Sequence, residues 1–119
     1  MGKNYAKDYT LAELMAAATS REIKDGETVF MGLGVPLLGA TLAKYTHAPN
    51  AIIIVESGYI DGIPIGAPFA IGDSILGFKC KKATTLWGIF SDLQRGFYDV
   101  GVLGAAQVDK FGNINTTAI

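Results

Sequence analysis

The chain has 119 residues, half of them hydrophobic and only 18% charged. That balance excludes a disordered segment and allows one packed core but not two, so residues 1–119 are read as a single domain. A formal net charge of −1 offers no electrostatic case for a nucleic-acid partner. One cysteine, Cys80, excludes an internal disulfide framework and fits a reducing cytosol. No apolar run approaches membrane-spanning length, and the first ten residues lack the apolar stretch of a signal peptide. The expectation is a soluble cytoplasmic protein without a membrane partner.

Thr10-Leu11-Ala12-Glu13 has capping-box spacing. The helix it starts places Leu11, Leu14, Met15 and Ala18 on one face, and Asp25-Gly26 closes the segment. Thr28 to Met31 reads as a short strand leading into Gly32-Leu33-Gly34-Val35-Pro36. A second helix follows from about Pro36 to Tyr45, with proline at a favoured first position. After a turn at His47-Ala48-Pro49-Asn50 comes Ile52-Ile53-Ile54-Val55, a continuous β-branched run typical of a strand buried on both faces.

Residues 59–86 hold Gly62, Pro64, Gly66, Pro68, Gly72 and Gly77, too many breakers for regular structure, and predict a long functional loop with short ordered pieces. Trp87 to Arg95 predicts a helix with Trp87, Phe90 and Leu93 on one face; Trp87 and Phe90 fit the core or a subunit contact. Asp99 to Gly104 reads as a strand, Lys110 to Asn113 as a turn, and Ile114 to Ile119 as the start of another strand. This alternation predicts an α/β fold with an open, largely parallel sheet and flanking helices. A chain that stops as a strand begins suggests a fragment or half of an assembled unit, with apolar surface that a hetero- or homo-oligomer would cover.

Two places carry chemistry. Glu56, followed by Ser57 and Gly58, stands where the buried strand ends, and open α/β sheets bind ligands at the carboxyl ends of their strands. A solvent-facing strand-end carboxylate fits the same position. The Gly32-Leu33-Gly34 turn has the first two glycines of a dinucleotide fingerprint, but the third would fall on Leu37, and Gly39 comes two residues late. Glu56, about twenty residues on, keeps that reading open. Gly34 and Val35 could also offer free amides at the positive end of the second helix to an oxyanion, and a plain strand-to-helix turn explains the glycines equally.

Taken together, GLGVPLLGATLAKYTHAPN, IIIVESG and GAAQVDKFGNIN resemble the β subunit of family I coenzyme A transferases, the glutaconate CoA-transferase type. The resemblance implies a NagB/RpiA/CoA-transferase-like fold, with this chain as the N-terminal part of the β-type domain. It implies CoA transfer between an acyl-CoA and a carboxylic acid, through a glutamyl-CoA thioester on Glu56. It further implies oxyanion or CoA contacts from Gly32, Gly34 and Val35, and a cleft bordered by Ser57, Gly58, Gln107 and Asn113. Coenzyme A would be a substrate, with no permanently bound cofactor, and an α-type subunit would be the partner. Family β subunits continue into a glycine-rich segment that helps form the CoA site. Activity is therefore expected only with that segment and the partner present. A CoA-thioester hydrolase on the same fold, or a non-catalytic partner subunit, are the alternative readings.

The remaining chemistry-bearing residues have ordinary explanations beside functional ones. Lys79, Lys81 and Lys82 could meet CoA phosphates or form a solvated face. Gln107, Asp109, Asn113 and Asn115 could border a site or simply build a turn around Gly112. Cys80 reads as a packed, inert thiol and His47 as a surface residue, and one of each makes no metal constellation.

Overall fold

A computed structural model describes every residue except 1, 3, 5, 64, 116 and 119. Elements run α1 (Leu11–Arg21), β1 (Thr28–Met31), α2 (Val35–Tyr45), β2 (Ile52–Val55) and β3 (Tyr59–Ile60). After a 3-10 turn at Ser74–Gly77 come β4 (Lys82–Ala83), α3 (Leu86–Gln94), β5 (Val100–Val102), β6 (Gln107–Val108) and β7 (Ile114–Asn115). The strand expected over 114–119 is shorter: β7 covers only Ile114–Asn115, residues 117 and 118 are not strand, and 116 and 119 lie outside the described residues.

Five strands form one sheet in the order β4-β3-β2-β1-β5. Its centre is parallel: β1 pairs with β2 from Thr28↔Ile52 to Met31↔Val55, and with β5 from Val29↔Val100 to Met31↔Val102. The β3 and β4 edge is antiparallel, so the sheet is mixed. The parallel character expected from the apolar runs belongs to β1, β2 and β5. The β3–β4 edge is built from the loop the glycines and prolines predicted.

Both faces of β1 and β2 are covered, which is why neither strand alternates polar and apolar residues. On one face Val29, Met31, Ile53 and Val55 pack with Leu37, Ala40 and Ala43 of α2. On the other, Phe30 and Ile54 pack against Ile89 of α3, and Phe90 meets the Phe30 ring edge-on at 5.8 Å. Trp87, expected in the core or at a contact, is 80% exposed, and Ile89 takes the buried place on that helix.

The capping box of α1 forms as expected: the Thr10 amide donates to Glu13 Oε2 at 2.6 Å, and the Glu13 amide donates to Thr10 Oγ1 at 3.2 Å. Its buried face is not the predicted one. Leu11, Leu14 and Met15 are exposed, whereas Ala16 and Ser20 are buried. The cause is Gly39 of α2, where an added Cβ would lie 2.6 Å from Thr19 Cγ2. Two helices that approach this closely meet through their small residues, and the large apolar side chains of α1 turn outward. Gly39 thereby has a packing role rather than a late place in a phosphate loop.

At the amino ends of the strands, side chains tie the layers together. Asp99 Oδ2 accepts from the Thr28 amide at 2.8 Å and from its hydroxyl at 2.6 Å. Asp25 accepts from the Asn50 amide at 2.7 Å and from Asn50 Nδ2 at 2.9 Å. The glycine turn and Glu56 lie at the opposite, carboxyl end of the sheet.

Candidate active site

The register places Glu56 and Gly32 side by side. Met31 and Val55 are partners in the ladder, so the next residue of each strand lies level at the carboxyl end of the sheet. The Gly32 amide donates to Val102 O at 2.9 Å, which holds the start of the glycine turn over β5. Gly34, at φ +83°, is the N-cap of α2, a conformation that strains any residue with a Cβ. The helix starts at Val35, one residue earlier than the proline suggested. Pro36, at the second helical position, has no N–H. The amides of Gly34, Val35 and Leu37 consequently crowd the positive end of α2 with no carbonyl one turn earlier to accept them.

Glu56 is half-buried in a three-residue turn between β2 and the antiparallel β3. Gly58 makes that turn possible. Its φ is +111°, and an added Cβ would lie 2.0 Å from Thr84 O. Its amide donates to Val55 O at 3.1 Å and its carbonyl accepts from the Thr84 amide at 2.8 Å. Ser57 Oγ is buried, and it has no hydrogen-bond partner among the described residues. A buried hydroxyl left unpaired next to a carboxylate is uncommon in a folded protein.

Below the turn lies a residue that the sequence did not single out. Asp61, 5% exposed and at φ +55°, pairs with Lys44 Nζ and Lys81 Nζ, each at 2.6 Å. Lys44 also donates to Ala51 O at 2.6 Å. Burial pushes the Asp61 carboxyl upward, but the hydrogen bonds and charges of the two lysines outweigh it and hold the group below the usual carboxylate range. Asp61-Gly62 looks like an ordinary turn in the sequence, and both lysines come from distant segments. No local signal could have revealed the cluster.

The three loop lysines do not converge. Lys81 is committed to Asp61, Lys79 lies 5.5 Å from the centre of the Phe78 ring, and Lys82 stands on the exposed strand β4. Cys80 is half-buried and unpaired. His47 is exposed; Nε2 lies 3.0 Å from Ile23 O and Nδ1 lies 3.1 Å from Thr46 Oγ1. Among the described residues, no group of three or more His, Cys, Asp or Glu is placed to hold a metal ion. Nor is any helix among them long and apolar enough to cross a membrane.

Gln107, Asp109, Asn113 and Asn115 come together on the β6–β7 hairpin, a separate two-stranded sheet. Asn115 Nδ2 donates to Gln107 Oε1 at 2.6 Å. Asp109 accepts from the Phe111 amide, the Asn113 amide and Asn113 Nδ2 at 2.8–2.9 Å, and these bonds hold its carboxyl below the usual range. Gln107 and Asn113 are exposed.

Beside the glycine turn a cavity of about 520 Å³ opens between α2 and the following loop. Leu33, Gly34, Leu37, Leu38 and Thr41 form one wall and residues 65–68 the other. Glu56 is not part of its lining.

This is an α/β fold with a carboxylate and a helix-capping glycine turn level at the carboxyl end of the parallel strands. The chain belongs to the coenzyme A transferase family, whose sequence profile, described as "Coenzyme A transferase", matches residues 12–119. It is similar to the β subunit of 3-oxoadipate CoA-transferase from Pseudomonas knackmussii, 45% identical over 112 residues, which cover 93% of this chain and 43% of that protein. The β subunit of glutaconate CoA-transferase from Acidaminococcus fermentans is 35% identical over 120 residues, covering 94% and 44% respectively. The crystal structure of glutaconate coenzyme A-transferase from that organism superposes with a TM-score of 0.81 at 33% identity, over 94% of this chain and 45% of that one. The decarboxylase AibA/AibB also superposes with a TM-score of 0.81, at 29% identity over 93% of this chain and 47% of that one. The chain thus spans less than half the length of these relatives.

Proposed function

We propose that this chain is part of a β-type subunit of an acyl-CoA:carboxylate CoA-transferase, with Glu56 as the covalent nucleophile. The observation that carries this reading is the placement of Glu56. It is half-buried, level with Gly32, and fixed by a turn whose glycine admits no side chain.

The chemistry explains why a carboxylate suits the task. Glu56 attacks the carbonyl carbon of the acyl thioester, the C–S bond breaks, and CoA leaves as its thiolate. The product is a mixed anhydride, at least as activated as the thioester it replaced. The thiolate then attacks the glutamyl carbonyl, forming glutamyl-CoA thioester and releasing the first acid as its carboxylate. A second carboxylate attacks that thioester, again through an anhydride, and the thiolate returns to the new acyl group and regenerates Glu56. A serine would give an ordinary ester, too stable to return a thioester. A carboxylate is already ionised at neutral pH, so the first step needs no general base. Negative charge develops on the carbonyl oxygen during each attack, and the amides at the start of α2 are the donors suited to receive it.

Coenzyme A is then a substrate. An α-type subunit is the expected partner, because the similar proteins from P. knackmussii and A. fermentans are each the β member of an enzyme made of lettered subunits. The similarity to a decarboxylase is a reason not to argue activity from fold alone. A hydrolase would use the carboxylate to activate water, and a non-catalytic subunit would not need it.

The deciding experiment is intact-mass spectrometry of the complete subunit, assembled with its α-type partner, before and after addition of acyl-CoA. A gain of CoA less water, absent in Glu56→Ala, is expected. Turnover of acyl-CoA with no adduct would replace transfer by hydrolysis. Full transfer activity in Glu56→Gln would make this chain a structural subunit.

A further inference from the structure

The cavity beside the glycine turn has a composition that selects its contents. Two walls meet there: the first two turns of α2 with the glycine turn before it, and the segment 65–68. Among the described residues its side chains are aliphatic or small, with the Thr41 hydroxyl as the one side-chain polar group, and no lysine, arginine or histidine lines it. Gly34 belongs both to this wall and to the cap of α2. A carbonyl oxygen held by the amides at the start of α2 therefore has this cavity as its immediate apolar neighbour.

We propose that this cavity is the acyl subsite, and that it takes an uncharged hydrocarbon chain. The assignment rests on the transfer reading for the position of the thioester, and the rest follows from the lining. A pantetheine arm would bring two amides to walls that can pair few of them, and unpaired buried polar groups are costly. A dicarboxylic acyl group would bring a second carboxylate to walls on which the described residues of this chain place no cation. An alkyl chain leaves nothing unpaired and gains from every methylene removed from water. Leu38 is the lining residue through which the subsite can be tested. It lines the cavity from the first turns of α2, yet is 54% exposed, so its side chain can be changed without disturbing the core. Leu37, one residue before it, is 5% exposed and belongs to the core.

Binding measurements can separate this subsite from the role of Glu56. The complete subunit with its partner, carrying Glu56→Ala so that no chemistry occurs, is titrated calorimetrically with acetyl-, butyryl-, hexanoyl- and glutaryl-CoA. Each added methylene is expected to tighten Kd by roughly fourfold. Glutaryl-CoA is expected to bind more weakly than butyryl-CoA. Leu38→Trp should flatten the chain-length series and leave acetyl-CoA within about twofold, whereas Leu38→Ala should preserve its slope. A series that is already flat, tighter binding of glutaryl-CoA, or an equal loss for all four ligands in Leu38→Trp would overturn the subsite. None of these outcomes depends on whether a glutamyl thioester forms, which is read separately by mass in the protein with Glu56 intact.

Discussion

The turn after β2 and the hairpin β6–β7 both carry polar motifs at the end of a strand, and the fold treats them oppositely. Around Glu56 the backbone is held by the rest of the molecule: Gly58 bonds Val55 and Thr84, and Asp61 is buried between Lys44 and Lys81. In the hairpin the bonds are local. Among the described residues Asp109 bonds Phe111, Gly112 and Asn113, Gln107 bonds Asn115, and nearly every side chain is exposed. The first motif is positioned by long-range packing, the second by its own sequence. A nucleophile must be held in one geometry to react well, and only the first region has that restraint.

Two glycines measure the difference most directly, since both have positive φ. Gly58→Ala would place a Cβ 2.0 Å from Thr84 O at φ +111°. Strain and overpacking together should cost about 3–5 kcal/mol in denaturant unfolding. Gly112→Ala, at φ +86° with nothing within 4 Å, should cost only about 1 kcal/mol. Equal losses at the two sites would erase the contrast.

Asp61→Asn should come next. It leaves Lys44, 15% exposed, without its countercharge, although Lys81 at 75% exposed stays in solvent. About 2–4 kcal/mol of stability should be lost at neutral pH. The pH dependence has a definite sign. The carboxyl is depressed in the folded chain, so its contribution is full above the ordinary carboxylate pKa and fades as pH falls through the folded value. Below that range the variant and the parent should converge. A gap that persists unchanged into strong acid would mean that Asp61 stabilises by packing and not by charge.

What the sequence made legible follows the same division. Strands β1 and β2 stand out because three and four consecutive apolar residues need cover on two faces, and α2 is framed by Gly34 and the turn at His47. The turn of β6–β7 could be read from Asp109, Gly112 and Asn113 alone, since its bonds are local. Glu56 could be placed at a strand end, but the reason its turn is rigid could not, because Thr84 lies far along the chain. The inward face of α1 was misjudged for the same reason: it is chosen by Gly39 on another helix. Long-range pairings decided the features that local patterns left open or misjudged, the Asp61 cluster among them.

Ser57 gives the smallest effect and the sharpest reading of the turn. Its hydroxyl is buried beside Glu56, and the described residues offer it no partner. An unpaired hydroxyl opposes folding, so replacing it with a methyl-sized group should relieve that cost rather than add one. Ser57→Ala is therefore expected to leave stability unchanged or raise it by about 1 kcal/mol. The contrast with Gly58→Ala, one residue away, is the informative part: of two adjacent small residues in one motif, only the glycine should lose stability when replaced by alanine. Gly58 is required by the backbone path, whereas Ser57 has a polar atom that the packing of this chain does not use. A loss above about 1 kcal/mol in Ser57→Ala would show that the hydroxyl is bonded in the folded molecule, and the turn would then be held by side chains as well as by main-chain contacts.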